Sequence, residues 1–262
     1  MRLRAGEFLN DAMRSVSFLS RIPVHDIFFE GPQRSIAETA GAFPLAGLFI
    51  TLPIAILASC LASTGADALV ISVIVLVVAT LVTGALHEDG LADTADGFGG
   101  GHDKARALAI MKDSRIGTYG AMALISSFVI RAACLAALVR EASALSVAAI
   151  LLATACVSRA LMVWHWQSLP PAKEAGIAVA AGRPGKAEAK IALAFGFAAA
   201  ILIALPFISL KACVAALAAS IAATYLFSRF CKRKIDGHTG DTIGATQQIT
   251  EIVMLASLAL FA

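Results

Sequence analysis

Residues 68–97 read ALVISVIVLVVATLVTGALHEDGLADTADG, an apolar run that ends abruptly in a cluster of ionisable side chains. The apolar part, 68–86, is close to the length of about 20 residues that a helix needs to cross a bilayer. The polar part carries Asp89, Asp93 and Asp96 at the spacings i, i+4 and i+7. The passage therefore predicts a spanning helix that is followed directly by a polar segment with candidate functional residues.

The three aspartates fall on one narrow stripe if their segment is helical, because an α-helix has 3.6 residues per turn. Like charges on one helix face repel one another, so stability alone does not explain the stripe. A divalent cation removes the repulsion, and hard carboxylate oxygens suit Mg²⁺. We therefore predict that Asp89, Asp93 and Asp96 bind Mg²⁺ for chemistry on a phosphorylated substrate. The alternative is an ordinary solvated loop at the end of a span.

The composition predicts a membrane protein. The chain is 59% hydrophobic and 15% charged, with a mean hydropathy of +0.82, whereas soluble domains are about half apolar and about a quarter charged. A net charge of +3 is too small to indicate a nucleic-acid partner. The five cysteines are scattered without the spacing of a zinc site or a disulfide framework, so we expect them to be packing residues.

Seven stretches are long and apolar enough to span a bilayer, which predicts an all-α polytopic bundle in the lipid bilayer, its polar motifs in the connections between spans. We expect one integral membrane domain over 1–262, in which 1–39 is a cytoplasmic or interfacial N-terminal segment without a cleavable signal peptide. The predicted spans are 40–62, 68–86, 118–139, 144–163, 190–209, 212–228 and 245–262.

The cationic side chains are strongly asymmetric. Of 21 Lys and Arg residues, 17 lie in the N-terminal segment or in and beside the long connections 87–117, 164–189 and 229–244. Only Arg140 and Lys211 lie on the opposite side. The positive-inside rule then predicts that the N-terminus and all polar motifs are cytoplasmic, with the C-terminus outside.

A glycine-rich turn and a short helix are predicted after the aspartate stripe. Gly99 and Gly100 follow Asp96 closely, and glycines let a ligand approach the backbone, although glycines alone are a weak phosphate signal. Asp103 then stands where an N-cap is expected, before an amphipathic helix over 104–112. We predict that Gly99 and Gly100 contact a substrate phosphate.

The segment 111–120, MKDSRIGTYG, combines two cations, a carboxylate, hydroxyls and two glycines just before a span. This mixture predicts phosphate or nucleotide binding through Lys112 and Arg115. Arg115 is the stronger candidate, because a guanidinium binds phosphate with two parallel hydrogen bonds. The alternative is a juxtamembrane basic anchor.

A third polar block runs from Asp236 into the last predicted span. Asp241 and Gln248 share a helix face, and Gln247 lies one turn before Glu251. We predict that Asp241 and Gln248 join the site of the aspartate stripe, since uncompensated polar groups in a span are costly. Hydrogen bonding between packed helices is the alternative for the two glutamines and Glu251.

Two arginines, Arg131 and Arg159, lie inside predicted spans and need partners. Glu251 or the aspartate stripe is expected to supply them, and the sequence leaves open whether the arginines bind substrate or only pair. His87 and His238 border the acidic blocks and are candidates to orient a ligand or act as a base.

These blocks together resemble the cobalamin synthase family of adenosylcobinamide-GDP ribazoletransferases. They run nearly from end to end of the chain in the family's order, and the 87–120 region is the most specific. The matching blocks are FLSRIPV at 18–24, FPLAGL at 43–48, HEDGLADTADGFGGG at 87–101, MKDSRIGTYG at 111–120 and TGDTIGATQQ at 239–248.

The resemblance implies a Mg²⁺-dependent enzyme of the bacterial inner membrane that joins α-ribazole, or its 5′-phosphate, to adenosylcobinamide-GDP and releases GMP. It implies that the aspartate stripe holds Mg²⁺ on the pyrophosphate and that Lys112 and Arg115 offset charge on GMP. Asp89 is the candidate to accept the hydroxyl proton, and Asp241 is an additional ligand or positions that hydroxyl. The metal count, the oligomeric state and the preferred form of ribazole stay open.

Two other functions stay open. The run from Asp93 to Gly97 resembles part of the Asp-x-x-Asp-Gly pattern of CDP-alcohol phosphotransferases, which cut a nucleotide pyrophosphate with an alcohol, but the rest of that pattern is absent. A cation-coupled transporter is the non-enzyme alternative, because intramembrane carboxylates and arginines also mark ion pathways. Against a transporter, the polar residues concentrate at one membrane face and no internal repeat is found.

Overall fold

The structure is a computed structural model that describes residues 5–173 and 181–261, and the fold is all-α over these residues. Two short 3₁₀ turns, at 26–29 and 40–42, accompany the α-helices. The α-helices are α1 (Ala5–Leu19), α2 (Ile36–Thr39), α3 (Phe43–Ala62), α4 (Ala68–Thr83), α5 (Leu86–Gly100), α6 (Lys104–Ile110), α7 (Thr118–Glu141), α8 (Ala144–Ser168), α9 (Lys186–Ala204), α10 (Leu210–Ile235) and α11 (Gly240–Phe261).

The number of spans agrees with the sequence. Within the described ranges, six helices are long and apolar enough to cross a membrane, and the pair α4 and α5 raises the number to seven if it counts as one broken span. The two helices of this pair meet at 91°. The apolar half of the pair is α4. The other half, α5, starts among the spans, where Glu88 meets Arg131 of α7. Its aspartate stripe leads out to the first turn of α7, so we treat the stripe as lying outside the spanning part.

Several predicted boundaries shift. The span expected at 68–86 ends at Thr83, because the next two residues leave the helical conformation, and the last span begins at Gly240 rather than at 245. Within the N-terminal segment 1–39, the helix α1 ends at Leu19, before Pro23. The Asp103 N-cap is confirmed, since its side chain accepts a hydrogen bond from the backbone N–H of Arg106 at 2.8 Å.

The central helix of the bundle is α8, most of which is buried. Small side chains such as Ala153 and Ala160 are fully buried on it, so that α3 and α9 approach closely. On one side α8 joins Leu138, Met254 and Leu258 in a single apolar cluster. This packing fixes α7 and α11, which are the two helices that hold α5.

The amphipathic helix α1 packs on this frame. Val16 and Leu19 are buried in a cluster with Phe43, whereas Leu9 and Phe18 stay exposed on the helix. The exposed apolar side chains suit contact with lipid at the edge of a bilayer.

Candidate active site

The site begins at the sharp bend between α4 and α5. Gly84 and Ala85 both adopt the left-handed conformation, with φ of 64° and 59°. Such a φ is uncommon for a residue with a side chain, and it marks a backbone that the surrounding structure holds in place. A Cβ at Gly84 would lie 2.4 Å from Nε of Arg21, but this flexible side chain can shift, so the positive φ is the reason for glycine here. The bend turns the axis of the polar helix α5 nearly perpendicular to the axis of the apolar helix α4.

The aspartate stripe lies on α5, as its spacing predicted. Asp89 is exposed, Asp93 is half-buried and Asp96 is 8% exposed. The glycine-rich turn expected after Asp96 is wrong, because α5 continues to Gly100. A Cβ at Gly99 would lie 2.5 Å from the ring of Tyr119, so this glycine makes room for a side chain of the protein. The predicted contacts of Gly99 and Gly100 with substrate stay predictions.

Asp96 connects α5 to the start of α7. One carboxylate oxygen accepts the backbone N–H of Gly117 at 2.7 Å, and the other accepts that of Gly120 at 2.8 Å. Since α7 has no capping side chain of its own, Asp96 supplies the acceptors that its first turn lacks. The negative charge also lies at the positive end of the helix dipole. Asp96 therefore has a structural role beside its predicted role as a ligand.

Asp93 is the carboxylate most affected by its neighbours. Burial, followed by the charges of Asp89, Asp241 and Asp96, raises the pKa of Asp93 to about 6, and Lys173 opposes this rise. Repulsion of this kind requires the carboxylates to lie near one another. The stripe on α5 and the aspartate at the start of α11 thus act on one another electrostatically, and their joint role in one site stays a prediction.

Asp241 reaches the stripe because α5 and α11 touch through small residues. A Cβ at Gly90 would lie 2.7 Å from the carbonyl oxygen of Asp241. One turn further along α11, Gly244 faces the backbone of His87 and Gly90 at ordinary contact distance. Because glycine has no side chain, the backbones of α5 and α11 can meet here, and this contact brings Asp241 next to α5.

Lys173 is a candidate that the sequence did not single out. It follows an isolated bridge between Pro171 and His238, in which the backbone N–H of Ala172 donates to the carbonyl of His238 at 2.8 Å. The bridge brings Lys173 close enough to lower the pKa of Asp93. No local sequence pattern predicts that the segments around Pro171 and His238 pair, so the position of Lys173 near Asp93 is seen only in the structure.

A cavity of about 600 Å³ continues from the stripe. Asp96 and Gly100 form its wall on α5, one helical turn apart on the same face. Its opposite wall includes Arg106 and Arg115, and Arg106 is a second cation that the sequence left unassigned. The cavity is large enough for a nucleotide-sized ligand.

Arg115 is paired within its own loop. It donates to both carboxylate oxygens of Asp113, with the shortest distance at 2.6 Å, and this contact lowers the pKa of Asp113 to about 2. Both groups are solvent-exposed, so such a pair contributes little to stability and its guanidinium can turn to a stronger anion. Lys112 is exposed and outside the lining of this cavity, and its predicted contact with substrate stays a prediction.

The other polar groups of the last span form a buried network. Gln248 is 2% exposed, and its side-chain amide donates to Glu88 at 3.2 Å and to Gln247 at 2.9 Å. Its own amide oxygen accepts from Ser127 at 3.2 Å. The structure thus places Gln248 inside the bundle, with internal partners, and away from the cavity wall. Substrate binding by Gln248 stays a prediction.

The predicted partner of the buried arginines is confirmed. Arg131 donates to Glu251 at 3.0 Å, and Arg159 lies 3.7 Å from the same carboxylate. Glu88 is a second partner of Arg131, at 3.4 Å. His87 is buried beside these arginines, and its Nε2 has no hydrogen-bond partner.

The donor set fits Mg²⁺ in its chemistry but does not enclose an ion. Across 5–173 and 181–261, no three His, Cys, Asp or Glu side chains stand together as a metal site. Mg²⁺ is usually held by one or two carboxylates, while substrate phosphates and water complete six ligands. The repulsion around Asp93 is negative charge that a cation would neutralise. These residues therefore fit an ion that binds together with a phosphorylated substrate.

Comparison with known proteins identifies the family of the chain. The family model described as cobalamin-5-phosphate synthase matches residues 11–259. A protein of Sinorhizobium sp. named adenosylcobinamide-GDP ribazoletransferase is 51% identical over 97% of this chain and 98% of its own. A protein of the same name from Azorhizobium caulinodans is 40% identical over 99% of both chains. No solved structure matches the chain. The chain belongs to the cobalamin-5-phosphate synthase family.

Proposed function

We propose that the protein joins α-ribazole, or its 5′-phosphate, to adenosylcobinamide-GDP with release of GMP, giving cobalamin or cobalamin 5′-phosphate. The observation that carries this proposal is the continuous face of α5, on which the aspartate stripe leads from the cluster with Asp241 into the cavity beside Arg106 and Arg115. Transfer at a pyrophosphate requires that the negative charge on its phosphates is neutralised. A carboxylate cluster that can hold a cation, next to a pocket lined by arginines, is suited to this.

The aspartate stripe would hold Mg²⁺ against the pyrophosphate. Asp89 is exposed and Asp93 is half-buried, and each oxygen of Asp96 keeps a lone pair beyond its backbone hydrogen bond. When bound, the ion would neutralise charge on the phosphates in the transition state. Asp241 would serve as a further ligand or position the attacking hydroxyl.

The cationic side chains would bind the phosphates from the other side. Arg115 would exchange Asp113 for the guanylyl phosphate, because a phosphate is the stronger bidentate partner of a guanidinium. Lys173, beside Asp93 and Asp241, would bind the phosphate on the corrinoid side. Arg106 lines the cavity and would offset charge on the departing GMP.

The reaction balances without a redox partner. The ribazole hydroxyl oxygen forms a bond to the phosphorus next to the corrinoid, and the bond from that phosphorus to the bridging oxygen breaks. GMP leaves with the electron pair, and the hydroxyl proton passes to a carboxylate of the site. We assign this proton to Asp89, which is the exposed member of the stripe.

The same proposal sets the orientation of the protein. If the side rich in Lys and Arg is cytoplasmic, the site opens where nucleotides and Mg²⁺ are present. We therefore propose an enzyme of the bacterial inner membrane with its N-terminus and its site on the cytoplasmic side, folded as one integral domain.

A lipid phosphotransferase would also use clustered carboxylates on a nucleotide pyrophosphate. Membership of the cobalamin-5-phosphate synthase family over residues 11–259 favours the corrinoid substrate. A transporter is disfavoured, because the aspartate cluster lies on α5, after the span α4, and at the start of α11, rather than at midspan.

The test is an assay of the purified protein in lipid vesicles with adenosylcobinamide-GDP, α-ribazole 5′-phosphate and Mg²⁺. GMP and the joined corrinoid product should appear in equal amounts, and neither should form when the ribazole is omitted. A parallel reaction with CDP-diacylglycerol and an alcohol should give no CMP. Release of CMP there, with no GMP in the first reaction, would identify a lipid phosphotransferase instead.

A further inference from the structure

A charged network lies buried beneath the aspartate stripe. Arg131 on α7 is 2% exposed and reaches Glu251 on α11 at 3.0 Å and Glu88 on α5 at 3.4 Å. Arg159 on α8 lies 3.7 Å from Glu251. Two arginines and two glutamates make the network neutral as a whole, and it joins four helices at one level.

Stability is a poor explanation for this network. Removing charges from water costs free energy that an ion pair often fails to recover, and apolar residues of similar size pack as well or better. Several polar atoms here are buried without any hydrogen-bond partner, among them Nε of Arg131 and Nε of Arg159. A network kept at such a cost is best explained by the specific arrangement of helices that it selects.

The helices that the network joins include α5 and α11, which carry the aspartates of the site. Glu88 is adjacent to Asp89 and less than two turns before Asp93 on α5, so a contact at Glu88 fixes the rotation of the stripe. The guanidinium of Arg131 holds this carboxylate and Glu251 at once, because a planar fork can bind two acceptors in fixed directions. The amide of Gln248 adds a second link from α11 to Glu88.

We propose that Arg131 is a positioning residue, which holds α5 in register with α7 and α11 so that the aspartate stripe faces Asp241 and the first turn of α7. The proposal rests on the proposed function for its effect on turnover. The register itself does not depend on it, because Asp96 must meet the backbone N–H groups of Gly117 and Gly120 in any case.

The main test neutralises one arginine and one glutamate together. Arg131→Gln with Glu88→Gln leaves Arg159 and Glu251 as a balanced pair, so the melting temperature should return toward that of the wild type, while either single variant leaves a buried charge uncompensated. We expect kcat of the double variant to stay about tenfold to a hundredfold below the wild type, because misplacement of about 1 Å has such an effect. Deuterium uptake of the peptide 113–121 should rise, since Gly117 and Gly120 lose their acceptor.

Arg131→Lys is the second variant, in case the double variant does not fold. It keeps the charge but lacks the fork that reaches two carboxylates. It should fold, show increased deuterium uptake at 113–121 and turn over more slowly at unchanged KM. Arg34→Gln with Asp11→Asn removes an ion pair of the N-terminal segment that belongs neither to the site nor to the network. It should change neither the deuterium uptake at 113–121 nor the turnover.

Two results would overturn the proposal. One is wild-type turnover and wild-type uptake at 113–121 in Arg131→Lys. The other is a double variant that regains activity together with stability, which would mean that the network only balances charge. If the wild type itself releases no GMP, the proposed function fails, but the uptake at 113–121 still tests the register.

Discussion

Gly90 on α5 lies directly against the backbone of Asp241 on α11: a Cβ at Gly90 would come within 2.7 Å of the Asp241 carbonyl oxygen and 3.1 Å of its Cα. Both neighbouring atoms belong to the backbone, so neither can swing aside. This contact sets how closely the aspartate stripe approaches the last helix, and it is the point at which two distant parts of the sequence become one site.

Gly90→Ala should therefore separate α5 from α11. We expect activity to fall by about a hundredfold, since a displacement near 1 Å is enough for that loss, and we expect a lower melting temperature from overpacking. Gly244→Ala is the matched control on the same contact, because its Cβ would meet the nearest atom at 3.4 Å. Turnover by purified Gly90→Ala equal to that of Gly244→Ala would show that the close approach is not needed.

Asp93→Asn and Asp96→Asn should differ in stability while both lose activity. Asn at 93 removes a charge that its neighbours repel, so the melting temperature should stay the same or rise. Asn at 96 replaces an acceptor of two backbone N–H groups with a group that can accept only on one side. We expect that change to cost about 1.5–3 kcal/mol, as for a hydrogen bond to a charged group.

Thermal unfolding in detergent and GMP release measure the two effects separately. Equal destabilisation by both variants would contradict the assignment of Asp96 as the cap of α7. Near-normal turnover of either variant at limiting Mg²⁺ would show that the aspartate concerned is not a ligand.

The sequence predicted those features of the site that depend on local periodicity. The stripe of Asp89, Asp93 and Asp96 follows from helical spacing, and the Asp103 cap follows from a local motif. Gly99 and Gly100 misled the prediction, because glycines are typical of turns, whereas here both lie within α5, where Gly99 leaves room for the ring of Tyr119 and Gly100 lies against Ile110. Their small size is needed by a neighbour that the local sequence does not reveal.

Contacts between distant segments were beyond the sequence. The need of Arg131 for a buried acid predicted Glu251, but Glu88 was not foreseen, because its position depends on the 91° bend after α4. The place of Lys173 depends on a two-residue bridge to His238 that no pattern announces. Such contacts follow from the packing of the whole bundle, and one sequence carries no local signal for them.

Lys173→Met should weaken binding of the pyrophosphate. The change removes the cation that opposes the repulsion between Asp93 and Asp241, so we expect KM for adenosylcobinamide-GDP to rise by about tenfold, as for the loss of one charge-assisted contact. Lys186→Met, an exposed lysine at the start of α9, is the control. Steady-state kinetics that give the same KM for both variants would remove Lys173 from the site.

Cysteine labelling should report the proposed orientation. In a Cys60→Ser background, Ser143→Cys in the connection between α7 and α8 should react with a membrane-impermeant maleimide added outside intact cells. Ser114→Cys, in the loop before α7, should react only after the membrane is opened, since the connections rich in Lys and Arg are proposed to be cytoplasmic. The reverse pattern would place the site outside the cell.

The most direct measurement of the central claim is electron–nuclear double resonance of Mn²⁺ bound in place of Mg²⁺, recorded with adenosylcobinamide-GDP present. If the aspartate stripe holds the cation against the pyrophosphate, the wild type should show coupling of Mn²⁺ to ³¹P, and Asp93→Asn should lose the bound ion and the coupling. Gly6→Ala, at an open position on α1, should behave as the wild type does. Bound Mn²⁺ without ³¹P coupling in the wild type, or coupling that survives in Asp93→Asn, would contradict the account.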